Sequence, residues 1–357
     1  MTADSGTEGF SPDVKRPWFL PLNNPAVVAA DAAAHMRGDD AVVGILVGDQ
    51  ARAYPWWVLA NYHLVNDTLI TSDEPGGYLW SESMTADGEP GYPWYPTAPV
   101  VVTLCEACSA TSAFVPVPPG DRDPLVFTLV ERAEAEYRAL GTFTIADLTS
   151  QSRWHPFTGR AHSGPRSGAQ LPRLPAFVDH WANWVRDHPT TTVVLAGEEM
   201  RQRPHVRDLP GVLDPNAAHT SLREVRLRQP ELVDHRLPSA ELVLGVGDAE
   251  AGEAVAVPLA VLRKHGGLLQ RDVGGRPRLF TLAGDYRGLV LDGPGATFTV
   301  VGNEPLRLAD PDGGLWDHLG RCLSGPRAGE RLPLAADGYV SKWGEWSLAH
   351  PGAEIAG

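Results

Sequence analysis

Lysine is almost missing from this chain: Lys15, Lys264 and Lys342 are the only three in 357 residues. Arginine supplies nearly all the positive charge. With abundant alanine, glycine and proline, this reads as the coding bias of a GC-rich bacterial genome and carries no functional message. Positive charge as a whole is scarce. A net charge of −14 argues against nucleic acid or an anionic membrane as the main partner, since both are polyanions. Cysteine is scarce too. Three cysteines are too few for a disulfide framework, and the odd number leaves one unpaired or otherwise employed. No stretch approaches the ~20 consecutive apolar residues of a membrane span. The opening segment MTADSGTEGFSPDVKRP has neither a basic start nor an apolar core, so no secretory leader is expected. These absences together lead to the expectation of a cytoplasmic protein with reduced thiols.

The signatures of several common chemistries are also lacking. There is no G-x-G-x-x-G after a strand, no G-x4-G-K, no H-E-x-x-H and no G-x-S-x-G. No nucleotide cofactor is expected, and serine hydrolysis has no support.

What is present is a repeat. Gly164-Pro165-Arg166-Ser167-Gly168 returns as Gly325-Pro326-Arg327-Ala328-Gly329. Each copy follows a tryptophan segment, Trp154 with Gly159-Arg160 and Trp316 with Gly320-Arg321. Each precedes one helix signature, Trp181-x2-Trp184-x3-His188-Pro189 and Trp343-x2-Trp346-x3-His350-Pro351. Residues 42–60 resemble 241–262, and 99–117 resemble 277–294, more weakly. Four matches in one order read as an internal duplication. The length suits two lobes, and the 43% hydrophobic share suffices for a sizeable core. The expected organisation is an extended N-terminus (1–17), a first repeat (18–196), a linker (197–222) and a degenerate second repeat (223–357).

Within each unit, β-branched runs such as VVGILV and PVVVTL read as strands. PWWVLANYHLVND reads as a helix from Pro55, with Trp56, Leu59, Ala60, His63 and Asp67 on one face. AFVDHWANWVRDHP reads as a second helix ending at its proline, with Phe177, Trp181 and Trp184 in a stripe. The expected fold class is α+β, strand-rich, with two pseudo-repeated lobes. Residues 72–100 interrupt the pattern with a turn-rich, acidic segment bearing Tyr78, Trp80, Tyr92, Trp94 and Tyr95. So long and aromatic a loop serves as a lid over a site or as a packing arm.

Arg52-Ala53-Tyr54-Pro55, then His63-x2-Asn66-Asp67, then Thr103-x-Cys105-x2-Cys108 resembles a bacterial group, the domain of unknown function 3179 family. Phe19–Pro25, Trp154 with Gly159-Arg160-Ala161, and Trp184 before His188-Pro189 add to the likeness, which spans roughly 18–196. Leu64, Leu104 and Glu106 depart from the family pattern, as do His155 and His162, and the loop 72–100 looks like an insertion. The resemblance implies a shared site but no reaction.

The chemistry therefore has to be read from the residues. A Cys-x2-Cys turn at a strand end lets two thiolates converge on one ion, and a neutral imidazole from His63 supplies a third donor. Such a set suits copper, zinc or iron and excludes magnesium and calcium. Three protein ligands with an open fourth position suit catalysis. Copper leads zinc and iron on thiolate content. Asp67 is a candidate to hold the other His63 ring nitrogen, and His155 and His162 are candidate fourth ligands or acid–base groups. Arg52 and Tyr54 either contact substrate or brace their strand, and Trp80 and Trp94 are candidate substrate contacts in the aromatic loop. Tyr54, Asp67, His155 and His162 make up the catalytic set.

A dithiol/disulfide pair at Cys105 and Cys108 is the competing chemistry, and inert packing of two buried cysteines is the plain alternative. In the second half, Ala283 and Tyr286 stand where Cys105 and Cys108 stand, and Gly266 falls opposite His63. The cysteines are thus dispensable for the fold, which favours a chemical role. The expectation is a metal-dependent oxidoreductase acting on a small organic molecule in specialised metabolism. A dithiol oxidoreductase is the first alternative, and a non-catalytic metal-binding or structural protein is the second.

Overall fold

The computed structural model describes residues 20–48, 50–70, 97–105, 108–130, 142–197, 234–247 and 253–357. The expected extended N-terminus, most of the aromatic loop with Trp80 and Trp94, and all but the first residue of the linker lie outside them. The fold is α+β and strand-rich, with short helices set among several sheets. No helix among the described residues is long and apolar enough to cross a membrane.

In the first half one five-stranded sheet has the order Ala176–His180, Ala41–Val47, Gln50–Pro55, Thr192–Val194, Val27–Ala29. Its strand AVVGILV is apolar throughout because both faces are covered. Val43, Ile45 and Val47 enter one core, while Val42 enters another with Trp184. Between them Gly44 lies against the Trp184 indole, where any β-carbon would collide with the ring.

A second five-stranded sheet has the order Leu22–Asn23, Leu64–Ile70, Thr97–Cys105, Ala110–Phe114, Arg173–Leu174. A four-stranded sheet, Ala161–Ser163, Arg153–Trp154, Ile145–Asp147, Phe127–Leu129, completes this half. In it the Trp154 indole N–H donates to the Asp147 carboxylate at 3.0 Å.

The second half lays out sheets of matching order. Tyr339–Lys342, Leu242–Val246, Val255–Pro258 and Glu354–Ile355 form one. Gly245 of the second strand lies against Trp346 as Gly44 does against Trp184. Leu268–Val273, Arg276–Ala283 and Arg287–Asp292 form the next. Thr299–Asn303, Leu306–Ala309, Leu315–Asp317 and Cys322–Ser324 form the last, where the Trp316 indole N–H donates to Asp310 at 2.9 Å. Trp154, Trp184, Trp316 and Trp346 are all fully buried.

Two helices are shorter than their sequence patterns suggest. Trp56–Tyr62 stops at His63, and Leu64–Ile70 is a strand, so Asp67 does not share a helical face with His63. Antiparallel pairing with Thr97–Cys105 takes over there, in a stretch rich in β-branched residues. Likewise Ala176–His180 is a strand paired with Ala41–Val47, and only Trp181–Asp187 is helical. Phe177 therefore sits on the strand before the helix.

Candidate functional site

Strand Thr97–Cys105 ends at Cys105, and the turn beyond it returns the chain as Ala110–Phe114. Val100, Val102 and Leu104 point into one core and Val101 into another, as strand alternation requires. Cys105 and Cys108 are joined in a disulfide with Cα atoms 5.3 Å apart, inside the ordinary range for such a bridge. The Cys108 N–H donates to Cys105 Sγ at 3.2 Å. Cys108 Sγ lies 3.9 Å from Thr142 Oγ1. Both are buried, Cys105 6% and Cys108 1% exposed.

The wall around the pair comes from both halves. Phe143 and Phe157 belong to the first, and Tyr339, Trp343 and Trp346 to the second. The second half is also tied to the turn itself. The Lys342 N–H donates to the Cys108 carbonyl at 2.7 Å, and Ser341 Oγ donates to the same oxygen at 3.2 Å. Burial pushes the Tyr339 phenol far above its ordinary range, and its oxygen lies 3.3 Å from His350 Nε2. Beside it Arg173 donates to the Phe157 carbonyl at 2.7 Å, with its pKa drawn down to about 10 by burial.

His63 reaches this wall from the end of its helix. Its carbonyl accepts the Leu104 N–H at 2.9 Å, which sets it one position from Cys105 across the pairing. Its ring centroid is 5.8 Å from that of Phe143, which packs against the apolar cluster that holds the cysteines. His63 has φ 58°, in the left-handed region where a β-carbon costs about 1–2 kcal/mol. In the second half the Leu282 N–H donates to the Gly267 carbonyl at 2.8 Å in the same way. Gly267, with φ 87°, is therefore the structural counterpart of His63, one residue on from the sequence match to Gly266.

His155 is buried next to the same wall, its ring centroid 6.0 Å from Phe157 and 6.1 Å from Tyr339. Its Nδ1 accepts the N–H groups of Phe157 (3.1 Å) and Thr158 (3.2 Å), so the ring holds a turn. Asp317 does this in the second half, accepting from Leu319 and Arg321. His162 lies on strand Ala161–Ser163, outside the cluster around the cysteines. Burial, then Arg153, lowers its pKa.

Arg52, Tyr54 and Asp67 form a separate buried unit. Arg52 Nη1 and Tyr54 Oη donate to the same Asp67 oxygen at 2.6 and 2.7 Å. Arg52 Nε continues to Thr192 Oγ1. Burial, followed by the neighbouring Asp67 charge, raises the Tyr54 pKa well above its ordinary value. The Asp67 carboxylate is thus engaged by Arg52, Tyr54 and the Thr68 N–H rather than by His63.

As for a metal, the two sulfurs are bonded to each other and offer no thiolate in this state. Among the described residues no three His, Cys, Asp or Glu side chains converge as a metal-binding group. The residues that sequence reasoning left out are Thr142, Phe143, Phe157, Tyr339, Ser341 and Lys342. Only the repeated Trp-x2-Trp motif beside Tyr339 hinted at them.

A strand-rich α+β protein that encloses a Cys-x2-Cys disulfide between its two halves is the class these features define. The chain belongs to the family described as "Protein of unknown function (DUF3179)", which matches residues 95–353. That span takes in both cysteines and the second-half wall, while Arg52–Pro55 and His63–Asp67 precede it. No curated protein and no solved structure matches the chain.

Proposed function

We propose that the chain is a thiol–disulfide oxidoreductase whose working pair is Cys105 and Cys108. The observation that carries this reading is the disulfide itself, closed at the end of strand Thr97–Cys105. In a reducing cytoplasm a disulfide is ordinarily transient, catalytic or sensing. The second half makes the equivalent strand-to-strand turn with Ala283 and Tyr286, so the bridge is not required to shape it.

The reaction balances as follows. A substrate thiolate attacks Cys105 Sγ, the disulfide breaks, and Cys108 leaves as a thiolate that takes up a proton. A second substrate thiol resolves the mixed disulfide. One substrate disulfide is formed, and the pair carries away two electrons and two protons. The Cys108 N–H at 3.2 Å favours negative charge on Cys105 Sγ, which suits this sulfur for the reverse attack.

The matching sheet orders, the Gly44–Trp184 and Gly245–Trp346 contacts, and the paired Trp–Asp hydrogen bonds support an internal duplication. The units would be residues 18–196 and 223–357, the second having lost the reactive pair.

Titration in glutathione redox buffers, followed by alkylation and mass measurement, tests the redox reading. Reversible two-electron cycling, lost in Cys105→Ser, is expected. A pair that cannot be reduced without unfolding the protein would defeat it.

A second reading attaches to the reduced protein, because His63 lies against Phe143, which borders the apolar cluster that holds the cysteines. Two thiolates and this imidazole would then hold a soft metal, copper before zinc or iron, in a metal-dependent oxidoreductase. Elemental analysis of the reduced protein beside Cys105→Ser and His63→Ala decides it: bound metal lost in both variants supports the metal centre.

A further inference from the structure

A buried hydroxyl needs a partner, and Thr142 has an unusual one. Thr142 is 2% exposed, and Cys108 Sγ at 3.9 Å is the hydrogen-bond partner of its hydroxyl among the described residues. A disulfide sulfur accepts weakly, whereas a thiolate accepts strongly because it carries the charge. The hydroxyl is therefore poorly satisfied while the bridge is closed and well satisfied once Cys108 bears a negative charge. We propose that Thr142 is a catalytic group of the cysteine pair, donating to Cys108 Sγ as the disulfide opens and stabilising the departing thiolate. The inference rests on the redox reading and adds the group that assists the leaving sulfur.

The step balances within that reaction. The substrate thiolate bonds to Cys105 Sγ, and the electron pair of the S–S bond passes to Cys108 Sγ. Thr142 lends a hydrogen bond and keeps its proton, and the proton that Cys108 takes up comes from solvent. Each sulfur has its own donor: the Cys108 N–H at 3.2 Å for Cys105 Sγ, and the Thr142 hydroxyl for Cys108 Sγ.

The second half supplies the comparison. Indole donation to Asp147 and to Asp310 marks equivalent strands, with Ile145 opposite Trp154 and Leu308 opposite Trp316. Three residues before Ile145 stands Thr142, and three before Leu308 stands Pro305. The half without the cysteine pair thus has no hydroxyl at this place, as expected of a group that serves the sulfur and not the fold. Thr144, two residues on, is also buried, and its hydroxyl has no partner among the described residues, which makes it a matched control.

The experiment follows opening of the disulfide by reduced glutathione in the full chain, with Thr142→Val, Thr142→Ser and Thr144→Val beside the parent. Thr142→Val should slow opening about threefold or more. It should also raise the Cys108 thiol pKa by about one unit, read as thiolate absorbance in the Cys105→Ser background. Thr142→Ser should keep the parent's values, and Thr144→Val should change neither. Thr142→Ala gives the same two readouts should Thr142→Val fail to fold. A parent pair that glutathione cannot open would overturn the redox reading and this inference together. A parent that opens, with rate and thiol pKa unaltered by loss of the Thr142 hydroxyl or altered equally by Thr144→Val, would overturn this inference alone.

Discussion

The Lys342 N–H donates to the Cys108 carbonyl at 2.7 Å, and this bond fastens the cysteine turn to the opposite half of the chain. Together with Ser341 Oγ on the same oxygen, it makes the second half part of the cysteine environment. Opening the disulfide frees the turn to shift, so Lys342 amide exchange should quicken in the reduced protein. Hydrogen exchange on oxidised and reduced samples checks this, and equal rates would mean the turn is held without the bridge.

The bridge closes a very short loop, so its effect on stability is small. Cys105→Ser with Cys108→Ser should lower unfolding free energy by no more than about 2 kcal/mol. Urea denaturation at neutral pH gives the value. A loss well beyond that would assign the bridge a structural duty.

His63 occupies a left-handed position that its counterpart Gly267 fills without strain. His63→Gly should therefore leave stability equal or raise it by about 0.5–1 kcal/mol. If the imidazole serves the cysteine chemistry, the same substitution should slow thiol exchange. A variant that is less stable and equally active would make His63 a packing residue.

Arg52, Tyr54 and Asp67 are a buried brace in this geometry. Asp67→Asn strands the Arg52 charge and should cost about 3 kcal/mol, while Tyr54→Phe removes one hydrogen bond and should cost about 1 kcal/mol. Neither should move the thiol midpoint potential. A shifted potential in Tyr54→Phe would return that residue to the working site.

His318 ties stability to pH. Its folded pKa of about 4 lies below the unfolded value, so the unfolded chain binds the extra proton between the two. Its contribution is complete above about pH 6.5 and is lost as pH falls toward 4, on the order of 2 kcal/mol in all. Urea melts across that window should show a shallower slope in His318→Asn than in the parent protein.

Much of this architecture can be read from residue order. The strands around VVGILV and PVVVTL, the buried tryptophans and the glycine-proline turns follow from side-chain chemistry and spacing. The ends of the helices do not. His63 and Ala176–His180 adopt their conformations because a neighbouring strand competes for the backbone, and that strand is distant in sequence. Asp67 shows the same limit at the site: its spacing from His63 suggests a helical pair, while pairing with Thr97–Cys105 turns it toward Arg52 and Tyr54. The hydrogen bonds from Ser341 and Lys342 to the cysteine turn join positions more than half the chain apart, which local pattern cannot convey.

The two halves grip each other reciprocally, each turn seated on the other's strand and helix: Cys108 on Ser341 and Lys342, Arg287 on Asp179 and Asp187. A chain severed between Ala196 and Asp234 would leave two fragments, each lacking the seat for its own turn. Neither fragment should hold its native form alone, and mixing them should restore it. The fold is thus a natural starting point for a split reporter in which reassembly rebuilds the cysteine site.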